Sequence, residues 1–214
     1  MVSFEAITKA VTEGDGNLAY ELTKSALDAD VSPNDILDKG LIPGLQVVGD
    51  QFENGDFFLP ELIVAGDAVS KALELLDPVL GKEGWALKGK FLIGTVKGDL
   101  HDIGKNLVMM MLEGGGFKVI DLGIDVASDK FIAAAEDNSA DIVAMSALLT
   151  TTMPAMEATV AAIKDNGLQV KIMVGGAPVN WEFSDRIGAD GHSDDAPGAV
   201  SIAREFMGLG SNPD

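Results

Sequence analysis

The sequence predicts an α/β protein in two parts. A bundle of four to five helices spans residues 1–85, and a doubly wound domain with a five-stranded parallel sheet spans residues 86–214. Three observations predict this. Apolar residues recur at helical spacing through the first 78 residues, between short turns. From residue 90 onward, short apolar runs alternate with amphipathic stretches, the order that builds a parallel sheet covered by helices. Between them, residues 79–90 read "VLGKEGWALKGK", with three glycines, three lysines and no clean period, which suits a linker.

The elements follow in order. Phe4, Ile7 and Val11 share one helical face, and Gly14-Asp15-Gly16 ends that helix. Leu18, Leu22 and Ala26 mark the face of a second. Ser32-Pro33-Asn34-Asp35 has the form of an N-cap with proline in the first turn and an acid at the capping-box position. The element it starts is expected to be interrupted by Gly40 and Pro43. A helix through Leu45 and Val48 should end near Asn54-Gly55, and the next should run from Pro60 through Leu62, Val69, Leu73 and Leu76 to Asp77-Pro78. Short turns between such helices are the pattern of a small bundle. In the second part, strands are expected at 90–96, 117–123, 141–148 and 170–176, with a short edge strand at 189–193. Helices are expected at 105–115, 128–138, 152–166, 180–187 and 195–207.

Composition removes several function classes. The net charge is -19, so the chain has no bulk attraction for a nucleic-acid backbone or an anionic membrane surface. With no cysteine there is no disulfide, thiolate metal site or thiol nucleophile, which suits a reducing compartment. No apolar run has the length of a membrane span, and "MVSFEAITKAVTEGD" lacks the blocks of a signal peptide. The chain is read as cytoplasmic.

A doubly wound sheet binds ligands beyond the carboxyl ends of its strands, near the switch in strand order. Here the first strand runs into "KGDLHDIGKN", the third ends in "SALLTTTM" and the fourth in "GGAPVN". Topology therefore gathers Asp99, His101, Ser146, Thr150, Gly175 and Gly176 at one edge. His101 is either a solvated or capping loop residue or a functional one. Asp99 stands two residues earlier and can project to the same side in an extended loop. A carboxylate on one ring nitrogen fixes the tautomer and leaves the other nitrogen free as a base or metal ligand. One loop histidine and no cysteine make a poor zinc site. A metal already held by an organic ring, short of one axial ligand, fits better. Gly104 and Gly175-Gly176 are turn formers, or they leave room for something bulky. Ser146, Thr150, Thr151 and Thr152 read most plainly as caps of the next helix. Met109-Met110-Met111 reads as core packing, and His192 in "ADGHSDDA" as a surface histidine.

In order and spacing, Asp99-x-His101-x-x-Gly104, Ser146-x-Leu148 and Gly175-Gly176 resemble the D-x-H-x-x-G, S-x-L and G-G signature of the cobalamin-binding domain of corrinoid proteins, a Rossmann-like, flavodoxin-like fold. "VGDQFENGDFFLPELIVAGDAV" is similar to the helical cap of methyl-carrying corrinoid proteins, which include a module of cobalamin-dependent methionine synthase. The resemblance covers nearly the whole chain. Its size and layout are similar to the stand-alone corrinoid protein of three-component methyltransferase systems.

The resemblance implies cobalamin as cofactor, as methylcobalamin or cob(I)alamin, with His101 as the lower axial ligand to cobalt in place of the cofactor's own benzimidazole. Asp99 would bond His101, and Ser146 would bond Asp99. The loop Gly98, Asp99, Leu100, His101, Asp102, Ile103 and Gly104 would hold the cofactor. Leu148, Thr150, Thr152, Gly175 and Gly176 would line the pocket of its nucleotide tail, with Asp195 and Ala196 near the benzimidazole. Phe58 and its neighbours would cover the upper face. No residue of the chain is catalytic in this reading. The chain would be a methyl carrier in the one-carbon metabolism of an anaerobe. A substrate-specific methyltransferase would supply the methyl group from a methylamine, betaine or other quaternary amine, methanol or a methyl ether. An acceptor methyltransferase would pass it to tetrahydrofolate or a thiol coenzyme, and a reductive activator would be a further partner. The alternative is the small subunit of an adenosylcobalamin-dependent mutase; "FENGDFFLPEL" argues against it, since such subunits generally lack the cap.

Overall fold

The computed structural model describes residues 3–80 and 88–209. Most of the expected linker, residues 81–87 with the expected boundary at 85/86, lies outside the described residues. The chain divides into two compact units, Met1–Ala86 with Glu113–Gly116, and Leu87–Leu112 with Phe117–Asp214.

The first unit is helical. α1 (Phe4–Thr12) starts where the Ser3 hydroxyl accepts the Ala6 N–H, and it buries Ile7, Ala10 and Val11. Asp15 caps α2 (Gly16–Asp28) through the Leu18 N–H. The expected α2 face is rotated. Leu18 is exposed, and the buried positions are Gly16, Ala19, Thr23 and Ala26. The reason is close packing against α5 (Leu59–Leu80), whose Ala65, Ala68 and Ala72 are also fully buried. A Cβ on Gly16 would stand 2.9 Å from the Lys71 side chain and 3.4 Å from the Ala68 Cα, so the two helices meet closely at this face.

The expected break at Gly40 and Pro43 is not found. α3 (Pro33–Ile36) continues through a π turn (Leu37–Leu41) into α4 (Ile42–Glu53), with αR backbone at both joins. A π turn is a wider turn inserted in a helix, and it precedes the proline that cannot donate to the α ladder. The Thr8 hydroxyl donates to the Gly40 carbonyl at 2.9 Å, pairing a carbonyl inside the irregular turn. Ser32 makes no side-chain cap bond, although Pro33 does open the helix.

The second unit carries a five-stranded parallel sheet in the order β2-β1-β3-β4-β5. The strands are β1 (Lys90–Thr95), β2 (Lys118–Asp121), β3 (Ile142–Ser146), β4 (Lys171–Gly175) and β5 (Gly191–Ser193). The helices are α6 (Ile103–Gly114), α7 (Ser128–Asn138), α8 (Met153–Asp165), α9 (Trp181–Ile187) and α10 (Ala196–Phe206). One sheet face packs Leu92, Val143, Ile172 and Val174 against Phe131, Ala135, Met156, Val160 and Phe183 of α7, α8 and α9. The other packs Phe91, Ile93, Ile142, Ala144 and Met173 against Leu112 of α6 and Ala199 and Ala203 of α10. Both edge strands are short, and β2 is only half-buried. Strand order reverses between β1 and β3, so the loops after these two strands border the crevice where such sheets take ligands.

Candidate functional site

The loop after β1 is built around a buried acid. Gly98 turns the chain with φ +85°, a conformation that favours glycine. Asp99 follows and is fully buried. Its Oδ1 accepts the His101 N–H at 3.1 Å and lies 2.8 Å from the ring Nδ1. Its Oδ2 accepts the Leu148 N–H at 2.8 Å and the Thr152 hydroxyl at 2.7 Å. Burial pushes the carboxyl pKa up, but the bonds from Leu148, Thr152 and His101 outweigh it and hold the group well below the usual carboxylate range.

An ionised carboxylate can only accept, so Nδ1 carries the proton and the neutral ring presents a lone pair on Nε2. The His101 side chain is 51% exposed. No described residue bonds its Nε2, and the Thr95 hydroxyl donates to the His101 carbonyl at 2.8 Å. On the segments that follow β1, β2 and β3 at this sheet edge, Leu100 and Ile103 are 67% and 72% exposed, and Ile124, Leu148 and Leu149 are exposed as well. Single exposed apolar residues are ordinary; several on neighbouring segments at one sheet edge form an apolar rim. Gly104, in the first turn of α6, has no atom within 4 Å of where a Cβ would stand. Among the described residues no group of three or more side chains could hold a metal by itself. One free imidazole nitrogen, an apolar rim and open space suit a metal that arrives inside a flat organic ring.

The other expected site residues fall into place differently. Asp102 is exposed, and its carbonyl takes the Asn106 N–H at the start of α6. Ser146 does not bond Asp99. It ends β3 in register with Thr95 and Gly175, while the turn after β3 brings the Leu148 N–H and the Thr152 hydroxyl to the carboxylate. Thr152 therefore is not a side-chain cap of α8, although it holds the N-cap position. Thr150 is exposed on the same turn. Gly175 closes β4, and a Cβ there would lie 3.4 Å from the Ser193 carbonyl. Gly176 has φ +120°, and a Cβ would stand 1.9 Å from the Ala147 carbonyl oxygen, so its smallness serves the packing of two strand ends. Asp195 caps α10 through the Gly198 N–H, and Ala196 is buried beside it. Phe58 stands exposed in the helical unit, where its N–H donates to Glu61 ahead of α5.

His192 is not a surface residue. It is 2% exposed, with Nδ1 3.1 Å from the Val174 carbonyl, Nε2 3.0 Å from Asp194 and the Trp181 ring edge-on at 5.7 Å. The sequence pattern also passed over Thr95 and the loop after β2. That loop lies at the same sheet edge, and the rule that pointed to the ends of β1, β3 and β4 extends to it.

Two family models, each described as a B12 binding domain, match the chain over residues 89–201 and 3–77. A corrinoid protein of Desulfitobacterium hafniense (strain Y51) is 38% identical over 213 residues, which are 97% of this chain and 99% of that one. Trimethylamine corrinoid protein 1 of Methanosarcina acetivorans is 42% identical over 202 residues, 92% of this chain and 94% of that one. Among solved structures, the methanol:cobalamin methyltransferase complex MtaBC from Methanosarcina barkeri matches with TM-score 0.84 and 30% identity, over 98% of this chain and 81% of that chain.

Proposed function

The chain belongs to the B12-binding corrinoid proteins, and from that premise we propose that it is the methyl-carrying subunit of a methyltransferase system, with cobalamin as its cofactor. The observation that carries the reading is the His101 ring, fixed at Nδ1 by a buried carboxylate and bare at Nε2. When bound, a corrin cobalt supplies a metal that takes up a methyl group and yields it to a nucleophile; the protein positions and screens it.

The chain's own residues do the rest. Asp99 orients the ring and leaves Nε2 as the nitrogen that would hold the cobalt. Leu148 and Thr152 keep Asp99 ionised. Leu100, Ile103 and Leu148 offer an apolar seat, and Gly98 and Asp102 complete the holding loop. The opening at Gly104, with Thr150, Gly175, Asp195 and Ala196, is assigned to the nucleotide tail. Residues 86–214 are assigned as the cofactor domain and residues 1–85, Phe58 included, as the helical cap domain.

Methyltransferases are the partners, as the MtaBC match supports. We assign a methylated amine as donor, on the strength of the trimethylamine relative. A second methyltransferase would act as acceptor with tetrahydrofolate or a thiol coenzyme, and a reductive activator would be a further partner. A cysteine-free chain in which no described helix could cross a membrane fits work in the cytoplasm. The relatives lend the mutase-subunit reading no support.

The test is anaerobic reconstitution with cobalamin, reduction, and incubation with a methylamine methyltransferase and its amine. The expected result is conversion of the bound cofactor's visible spectrum to the methylated form in the parent, and loss of nitrogen-ligated spectra in His101→Ala. A parent that retains no cobalamin after gel filtration contradicts the proposal.

A further inference from the structure

The loop between β2 and α7 has so far given the site only the exposed Ile124, yet it is built onto the loop that carries His101. Below, Thr95 donates its N–H to the Gly123 carbonyl at 3.0 Å, and Val126 donates to the Thr95 carbonyl at 2.9 Å. Above, Asp125 takes hold twice. Its backbone N–H donates to the Asp99 carbonyl at 3.0 Å, and its carboxylate accepts the Gly98 N–H at 2.7 Å. To do both, Asp125 adopts φ +53°, the left-handed region that non-glycine residues seldom enter. Strain of that kind persists where the surroundings over-determine it. A second tie fixes the start of the loop. Asp121 accepts the Gly123 N–H at 2.8 Å and the ammonium of buried Lys105, in the first turn of α6, at 2.7 Å.

We propose that Asp125 is a positioning residue for His101. It grips Gly98 and Asp99, three and two residues before the ligand, on their backbone. The Asp99 carboxylate is already committed to four donors, so it cannot follow the ring if the loop shifts. The backbone register set by Asp125 therefore decides where Nε2 stands and how firmly it meets a cobalt. Such outer partners of a metal ligand typically matter ten- to a hundredfold in metal binding.

The inference rests on the methyl-carrier reading, and its test separates the two. The full-length parent, Asp125→Gly, Asp125→Asn and His101→Ala are each loaded with cobalamin, reduced to the cobalt(II) form and examined by electron paramagnetic resonance. An axial nitrogen splits each cobalt line into three. The parent should show the triplet and His101→Ala should lose it. Asp125→Gly accepts the left-handed backbone but has no acceptor for the Gly98 N–H. Its ratio of imidazole-bound to imidazole-free cobalt should fall roughly tenfold, with unchanged far-ultraviolet circular dichroism. Asp125→Asn keeps a carbonyl acceptor and tolerates the same φ, and it should stay within about twofold of the parent. A full triplet in Asp125→Gly, or loss of the triplet in Asp125→Asn, overturns the proposal, and the second result does so even if the glycine variant fails to fold. A parent without the triplet overturns the carrier reading itself.

Discussion

Asp99 is buried and keeps its charge because two backbone N–H groups, a hydroxyl and an imidazole N–H surround it. Its folded pKa lies below the unfolded value of about 3.9. The stability it contributes is therefore complete above that pH and is lost as pH falls further toward the folded value. Urea titrations of the apoprotein at pH 6 and pH 3 should show a loss of stability in the parent that Asp99→Asn lacks. At pH 6 the asparagine variant should be weaker by about 3 kcal/mol, because its amide leaves buried donors unpaired. Gly176 gives a second expectation. A Cβ there meets the Ala147 carbonyl at a left-handed φ, so Gly176→Ala should cost roughly 2–5 kcal/mol in chemical denaturation, with or without cofactor. The pairing of Asp99 with His101 was legible because the two lie two residues apart in one loop. The role of Thr152 was not, because which hydroxyl of "SALLTTT" turns inward depends on the turn after β3 and not on spacing. His192 was misread for a related reason: three residues of β5 are too short a run to reveal which side faces inward.

At the scale of elements, the strands and helices from residue 90 onward were all legible, with ends shifted by a few residues, because apolar runs and amphipathic stretches alternate cleanly. The helical half was less so. The buried face of α2 is a stripe of small residues, which carries a weak apolar signal beside Leu18 and Leu22, and the π turn has no composition signature at all. Thr8→Val tests the π turn: without the hydroxyl that donates to the Gly40 carbonyl, stability should fall by about 1 kcal/mol in a urea titration. Gly104 tests the first turn of α6. Since a Cβ there meets nothing, Gly104→Ala should stabilise the apoprotein by about 0.5–1 kcal/mol, as alanine does within helices. If the open space belongs to the cofactor, the same variant should bind cobalamin more weakly by equilibrium dialysis, and equal binding would remove Gly104 from the site.

For the molecule as a whole, charge, composition and strand order narrowed the function before any side chain was placed. A net charge of -19 argued against nucleic acid, the absence of cysteine argued against a thiolate metal site, and the order of elements put the signature residues at one sheet edge. What remained illegible was the set of contacts between loops distant in sequence, such as Asp125 on Gly98. The central claim is that a protein imidazole, and not the cofactor's own base, reaches the cobalt. It is tested most directly by preparing the chain with ¹⁵N-labelled histidine, loading it with unlabelled cobalamin and recording the paramagnetic resonance spectrum of the cobalt(II) form. A nitrogen of spin one-half splits each line into two, so doublets are expected; the triplets of unlabelled benzimidazole, or unsplit lines, would show that no protein imidazole reaches the metal.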